Sequence, residues 1–238
     1  MKKLNRGVLA PLIILLLLST SCSNEDPGPL QADERNYAVV DFDRLEIGEA
    51  FIIQVRQASY FSIAVRGDRR NLDDLSVNKN GKTLSVKFSD NRGHQHQTYI
   101  EITMPLLRGV NFSDASDSRI TGFYNLDSID LLFSDASSSQ LDLESSKMNL
   151  TLSGASHVLA TGKSDTLSID LSGSSSLNAF NLEATAAKVS ASGSSEADVN
   201  VIQQLKARAT DASKILYEGN PSVSKQTADD GIVQRHVR

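Results

Sequence analysis

A four-residue motif recurs six times in the second half of the chain: Ser113-Asp114-Ala115-Ser116, Ser134-Asp135-Ala136-Ser137, Ser153-Gly154-Ala155-Ser156, Ser172-Gly173-Ser174-Ser175, Ser192-Gly193-Ser194-Ser195 and Thr210-Asp211-Ala212-Ser213. Its second positions lie 18 to 21 residues apart, the spacing of one coil in a stacked repeat. The residues on either side alternate, with Leu150 and Leu152 before the third copy, Val158 and Ala160 after it, Ile169 and Leu171 before the fourth, and Leu177 and Ala179 after that. Alternation at period two puts the apolar members on one face and the Ser, Thr, Asn and Asp members on the other. No segment between the motifs carries an i, i+3, i+4 apolar stripe, and Ser, Asp, Thr and Gly are poor helix interiors. The Leu-x-x-Leu-x-Leu pattern of a leucine-rich repeat is absent as well. What remains is an all-β solenoid of short stacked strands, with about twenty residues per coil.

The motif reads as the corner of that solenoid. Its second residue is always Asp or Gly (Asp114, Asp135, Gly154, Gly173, Gly193, Asp211), the residue types that best tolerate positive φ. The next residue is Ala or Ser, as expected where coils stack about 4.8 Å apart and a larger side chain would meet its own copy. These six residues are therefore structural turn positions, and the recurring serines belong to the stacking.

Residues 1–21 are set apart from the folding unit. Lys2, Lys3 and Arg6 precede an apolar run from Val8 to Leu18, the layout of an export signal and too short for a comfortable membrane span. The run ends in Leu18-Ser19-Thr20-Ser21-Cys22, which contains the only cysteine of the chain and resembles a bacterial lipobox. The resemblance implies lipidation of Cys22, a membrane anchor there, and a mature domain without an internal disulfide. Polar residues 22–36 read as a flexible tether, and 37–238 as a single β-helix domain with repeat coils over about 109–215 and a C-terminal closure over 216–238. The acidic pair Glu25-Asp26 behind the cysteine resembles a surface-export signal. The expected location is thus the outer membrane, facing the cell surface.

In the N-terminal half, strands are expected at Ala38–Phe42, Phe51–Val55, Phe61–Val65, Thr83–Phe88 and Thr98–Thr103. Asn80-Gly81 marks a tight turn, and Asn71–Leu75 a single helical turn. These strands either begin the solenoid irregularly or cap it.

Charge and motifs narrow the function. Without residues 1–21 the chain has 21 basic against 29 acidic residues, an unfavourable field for nucleic acid. His94 and His96 have the spacing of two metal ligands but no third or fourth beside them in sequence, so they read as part of a polar loop and no metal site is expected. Asp114, Asp117 and Asp135 lack the calcium β-roll pattern and read as turn residues. No Gly-x-Ser-x-Gly elbow or phosphate loop occurs, and serine without a neighbouring base is a poor nucleophile. No catalytic residue and no cofactor are therefore expected. Asp127-Ser128-Ile129 and Asp165-Thr166-Leu167 resemble acceptors of a bacterial O-glycosylation system, at Ser128 and Thr166.

Phe42-Asp43-Arg44-Leu45, Phe51-Ile52-Ile53-Gln54-Val55, Gly81-Lys82-Thr83-Leu84-Ser85-Val86, Ile102-Thr103-Met104-Pro105, the recurring corners and Tyr217-Glu218-Gly219-Asn220-Pro221 together carry a likeness over about residues 38 to 235. Through them the chain resembles the head GIN domain family of autotransporter-adhesin heads. The resemblance implies a right-handed parallel β-helix on a non-enzymatic envelope protein. Asp114, Asp135 and Asp211 stand where the family more often has glycine. The expected role is an adhesin or binding module whose Ser, Thr, Asn and Asp rows meet a glycan, matrix component or envelope protein. The alternatives are a structural or signalling partner without external ligand and, behind it, a carbohydrate-active enzyme.

Overall fold

The computed structural model describes residues 28–90 and 93–237. Its elements are β1 (Ala32–Asn36), β2 (Arg44–Ile47), β3 (Ile52–Gln57), β4 (Ser62–Asp68), α1 (Arg69–Asp73), β5 (Leu75–Asn80), β6 (Thr83–Phe88), β7 (Tyr99–Met104) and β8 (Gly109–Phe112). The long bent strands β9 (Asp117–Phe133), β10 (Ser138–Leu152), β11 (His157–Leu171), β12 (Ser176–Ala191) and β13 (Glu196–Ala209) follow, and then β14 (Lys214–Glu218), β15 (Ser222–Thr227) and β16 (Ile232–Arg235). From β8 onward the chain winds a parallel β-solenoid of about seven turns, each of about 19 residues.

The inward positions form continuous columns. One runs Ile47, Phe112, Phe133, Leu152, Leu171, Ala191, Ala209, each in register with the next and each buried. The column shrinks from phenylalanine to alanine, so the aromatic bulk of the core, including an edge-to-face contact between Phe112 and Phe133, lies toward the N-terminal end. Continuous apolar stacking of this kind is the main source of stability in the fold.

The N-terminal strands both extend and cap the solenoid. β2 and β3 form a turn stacked directly on β8 and β9, and β6 and β7 form another on its far side. The stacking order therefore departs from chain order, because the 44–57 turn lies between the 83–104 turn and the 109–121 turn. Three antiparallel pairings, β4 with β7, β1 with β4 and β5 with β6, cover the outer end. The β5–β6 hairpin turns at Gly81, φ +60°, as Asn80-Gly81 indicated. The outermost strand β1 presents Asp33, Glu34 and Arg35, charges that discourage edge-to-edge pairing.

Two expectations are corrected here. Residues 32–36, assigned to the tether, form β1, whose alternating charges give no apolar signal. The strand expected at Ala38–Phe42 is irregular, because Asp41 turns the chain at φ +63°. At the other end, residues 222–235 form one more turn, paired in parallel with β13 and β14. There the positions in register with Ala207 and Tyr217 are Lys225 and Arg235, both exposed at the end of the solenoid. Charges at positions that a further coil would cover oppose its addition.

Asp68 fastens the cap. Its fully buried carboxylate caps α1 and accepts hydrogen bonds from Arg70 N (2.9 Å), Arg70 Nε (2.7 Å) and Gln31 N (2.9 Å). The Arg70 guanidinium, aided by the Gln31 and Arg70 amides, holds this carboxyl well below the usual carboxylate range despite the opposing effect of burial. A folded-state pKa below the unfolded one means that the stabilisation is complete above about pH 4 and is lost as pH falls below that. Asp68→Asn is expected to cost about 2 kcal/mol at neutral pH and to flatten the acid limb of stability. Denaturant melts between pH 3 and 7 check this, and an unchanged acid limb in the variant would count against the assignment.

Candidate functional site

The corners do not form a chemical site. All six second positions have positive φ, from +54° at Asp114 to +75° at Gly173. The fourth-position serines, Ser116, Ser137, Ser156, Ser175, Ser195 and Ser213, are buried in a column inside the solenoid. Several satisfy their hydroxyls on main-chain carbonyls: Ser156 Oγ donates to Ser153 O (2.9 Å), Ser195 Oγ to Ser192 O (2.8 Å) and Ser213 Oγ to Thr210 O (2.7 Å). The recurring fourth-position serine is thus an interior residue small enough to stack, distinct from the outward Ser, Thr, Asn and Asp rows of the strands.

Aspartate and glycine corners are built differently. At the Asp corners the fourth amide closes on the first carbonyl, as in Ser116 N to Ser113 O, Ser137 N to Ser134 O and Ser213 N to Thr210 O, each 3.2 Å. At the Gly corners the third amide reaches the preceding coil: Ala155 N to Asp135 O (2.5 Å), Ser174 N to Gly154 O (2.7 Å) and Ser194 N to Gly173 O (2.8 Å). Asp114 and Asp135 serve their own turns, accepting from the hydroxyls of Ser113 and Ser134 at 2.6 and 2.9 Å, whereas Asp211 accepts both from its own turn, Thr210 Oγ1 at 3.3 Å, and from Gly193 N of the preceding corner at 3.0 Å. Asp117 opens β9, beyond the corner.

The two histidines diverge. His96 Nε2 lies 3.3 Å from Gly28 O and 3.8 Å from Asp68 Oδ2, whereas His94 stacks on Phe88 with ring centroids 3.5 Å apart. Ser128 is half-buried and Thr166 exposed, two turns apart on one face and both in register with Lys147. Cys22 and residues 1–21 lie outside the described residues. No helix among the described residues is long and apolar enough to cross a membrane.

The concave surface that gathers most polar chemistry crosses β4, β7, β3, β9 and β10. Its outward row Glu101, Gln54, Arg119, Gln140 runs across four strands in register. Arg66 pairs with Glu101, and Arg119 bonds Gln140. Tyr99, 39% exposed, stands at the head of the neighbouring row, with its hydroxyl donating to Gln97 Oε1 at 2.8 Å. A groove of about 290 Å³ along these rows adjoins a second of about 680 Å³ that reaches β1, and the two share Arg66 and Tyr99. Carboxylate, amide and guanidinium groups at strand spacing match paired hydroxyls, and an aromatic face beside them offers an apolar contact. Sequence patterning does not reveal this group. Each member is an ordinary outward residue of its own strand, and they meet only because β3 is inserted between β7 and β9. At the opposite end of the same face, burial and the nearby Glu196 push the Asp198 carboxyl up.

The fold is similar to several solved structures. A "putative adhesin" from Bacteroides fragilis superposes with a TM-score of 0.76 at 20% identity, covering 86% of this chain and 97% of that one. A "Putative lipid binding protein" from Parabacteroides distasonis gives 0.71 at 17% identity, covering 87% and 97%. A "putative adhesin" from Parabacteroides merdae gives 0.71 at 14% identity, with the same coverage. At such identities the likeness is one of fold. No curated protein matches the chain in sequence. The family model described as "Putative auto-transporter adhesin, head GIN domain" matches residues 41–221, from just before the 44–57 turn to just past the strand that follows the sixth corner, and the chain belongs to that family.

Proposed function

We propose that this protein is an exported, Cys22-lipidated binding module that holds a glycan in the groove lined by Tyr99, Gln54, Arg119 and Gln140. The observation that carries the reading is the row of planar polar side chains beside an exposed aromatic ring. A sugar has hydroxyl pairs that such groups bond two at a time, and a C–H face that packs on a ring. Shallow contacts of this kind are individually weak and gain strength when many lipid-anchored copies meet a repeating ligand. A neighbour in fold is described as a lipid binding protein, but an acyl chain needs enclosed apolar space, and the solenoid interior is occupied by its own stacked side chains. The outer groove is therefore the favoured surface.

Glycan and matrix arrays probed with the chain from residue 28 onward test the reading. Tyr99→Ala combined with Arg119→Ala is expected to weaken binding about tenfold or more without changing the melting temperature. Binding that survives both substitutions would move the site elsewhere, and a domain protected from protease on intact cells would rule out an outward-facing adhesin.

A further inference from the structure

We propose that Asp74, Asp90 and His94 form a zinc-type metal site that clips the 93–98 loop to the N-terminal cap. The three residues reach one point from different elements. Asp74 is the C-cap of α1, and its amide bonds back to Asn71 O (3.2 Å). Its carbonyl accepts from Ser89 N at 2.7 Å, which ties the end of the helix to the end of β6, one residue before Asp90. His94 is held by its stack on Phe88, whose planes lie 7° from parallel.

The donor atoms face each other. His94 Nε2 is 3.5 Å from Asp74 Oδ2 and 3.7 Å from Asp90 Oδ1, and all three lie within 4.8 Å of one another. Zinc bonded at about 2.0–2.1 Å in a tetrahedron sets neighbouring ligand atoms about 3.4 Å apart, so little movement is needed to close around the ion. A second observation points to a ligand: Nε2 is buried, accepts or donates no hydrogen bond, and is aimed into the cluster, while the imidazole as a whole is 11% exposed. A buried ring nitrogen without a hydrogen bond is costly unless something occupies it. One imidazole and two carboxylates suit a borderline cation of the zinc class rather than magnesium or calcium, which prefer all-oxygen sets. Water completes the fourth position.

The test uses the full chain stripped with EDTA and titrated with zinc chloride. One equivalent of zinc is expected to bind with micromolar or tighter affinity and to raise the melting temperature by several degrees, with magnesium chloride inert at the same concentration. Asp90→Asn, a substitution at the most exposed ligand that leaves packing intact, and His94→Gln are each expected to weaken zinc binding at least about tenfold, whereas His96→Gln leaves it unchanged. No zinc response in the natural chain, or an equal response in Asp90→Asn and His94→Gln, overturns the site.

Discussion

Gly162→Ala is expected to lower stability by about 4 kcal/mol and the melting temperature by about 10 °C. Gly162 lies at the second bend of its coil, at φ +120°. A Cβ placed there would sit 2.0 Å from Leu143 O and 2.9 Å from Leu143 C on the preceding coil. That contact is with main chain, which is itself locked into the ladder between β10 and β11, so relief requires the two coils to separate. Gly122, at the corresponding bend of β9, has φ +83° but open space for 4 Å around the point where a Cβ would stand, so Gly122→Ala serves as the control. It carries only the backbone strain and should cost about 1 kcal/mol. Thermal and denaturant melts of the pair check the argument, and equal losses would show that φ rather than coil contact governs.

Gly173→Val is expected to cost about 3 kcal/mol or more, whereas Asp135→Gly should cost less than about 1 kcal/mol. The corner glycine has φ +75°, and its Cβ would meet Gly154 O at 2.6 Å and Gly154 N at 3.1 Å. Gly154 O is also the acceptor for Ser174 N, so a valine both clashes and breaks the coil-to-coil hydrogen bond. At Asp135 the corner closes on itself through Ser137 N and Ser134 O and already holds a side chain. The same distinction predicts that Gly173→Asp fails although aspartate is native at three other corners. A fully stable Gly173→Asp would mean that the two corner types interchange.

The corner glycines and aspartates are legible in advance because a solenoid imposes one local requirement at every coil, and a local requirement repeats in sequence. The six corners, the alternating strands around them and the Asn80-Gly81 hairpin are all of this kind. Gly162 does not stand out in the same way, because its constraint comes from Leu143 on the neighbouring coil, and nothing local to 160–164 repeats it. The fourth-position serines are legible as stacking residues, yet their polarity suggests the outer surface. Period two itself resolves this, since the inward alternation runs through the corner without a change of phase, as in Leu150, Leu152, Ser156 and Val158.

Around the groove the contrast is sharper. Tyr99, Glu101, Gln54, Arg119 and Gln140 come from four strands, and their order in space follows the placement of the 44–57 turn between the 83–104 and 109–121 turns. Asp74, Asp90 and His94 are likewise separate along the chain: in sequence His94 pairs naturally with His96, while its partners in space stand at the end of α1 and just past β6. Short-range patterning, turn chemistry and the period of about 19 residues were determined by the sequence alone, since each depends on residues within one coil. The tertiary structure decided which coils are neighbours, because strand pairing is a choice among distant edges with similar hydrogen-bonding capacity. That choice is made by how the cap strands and the apolar columns pack together.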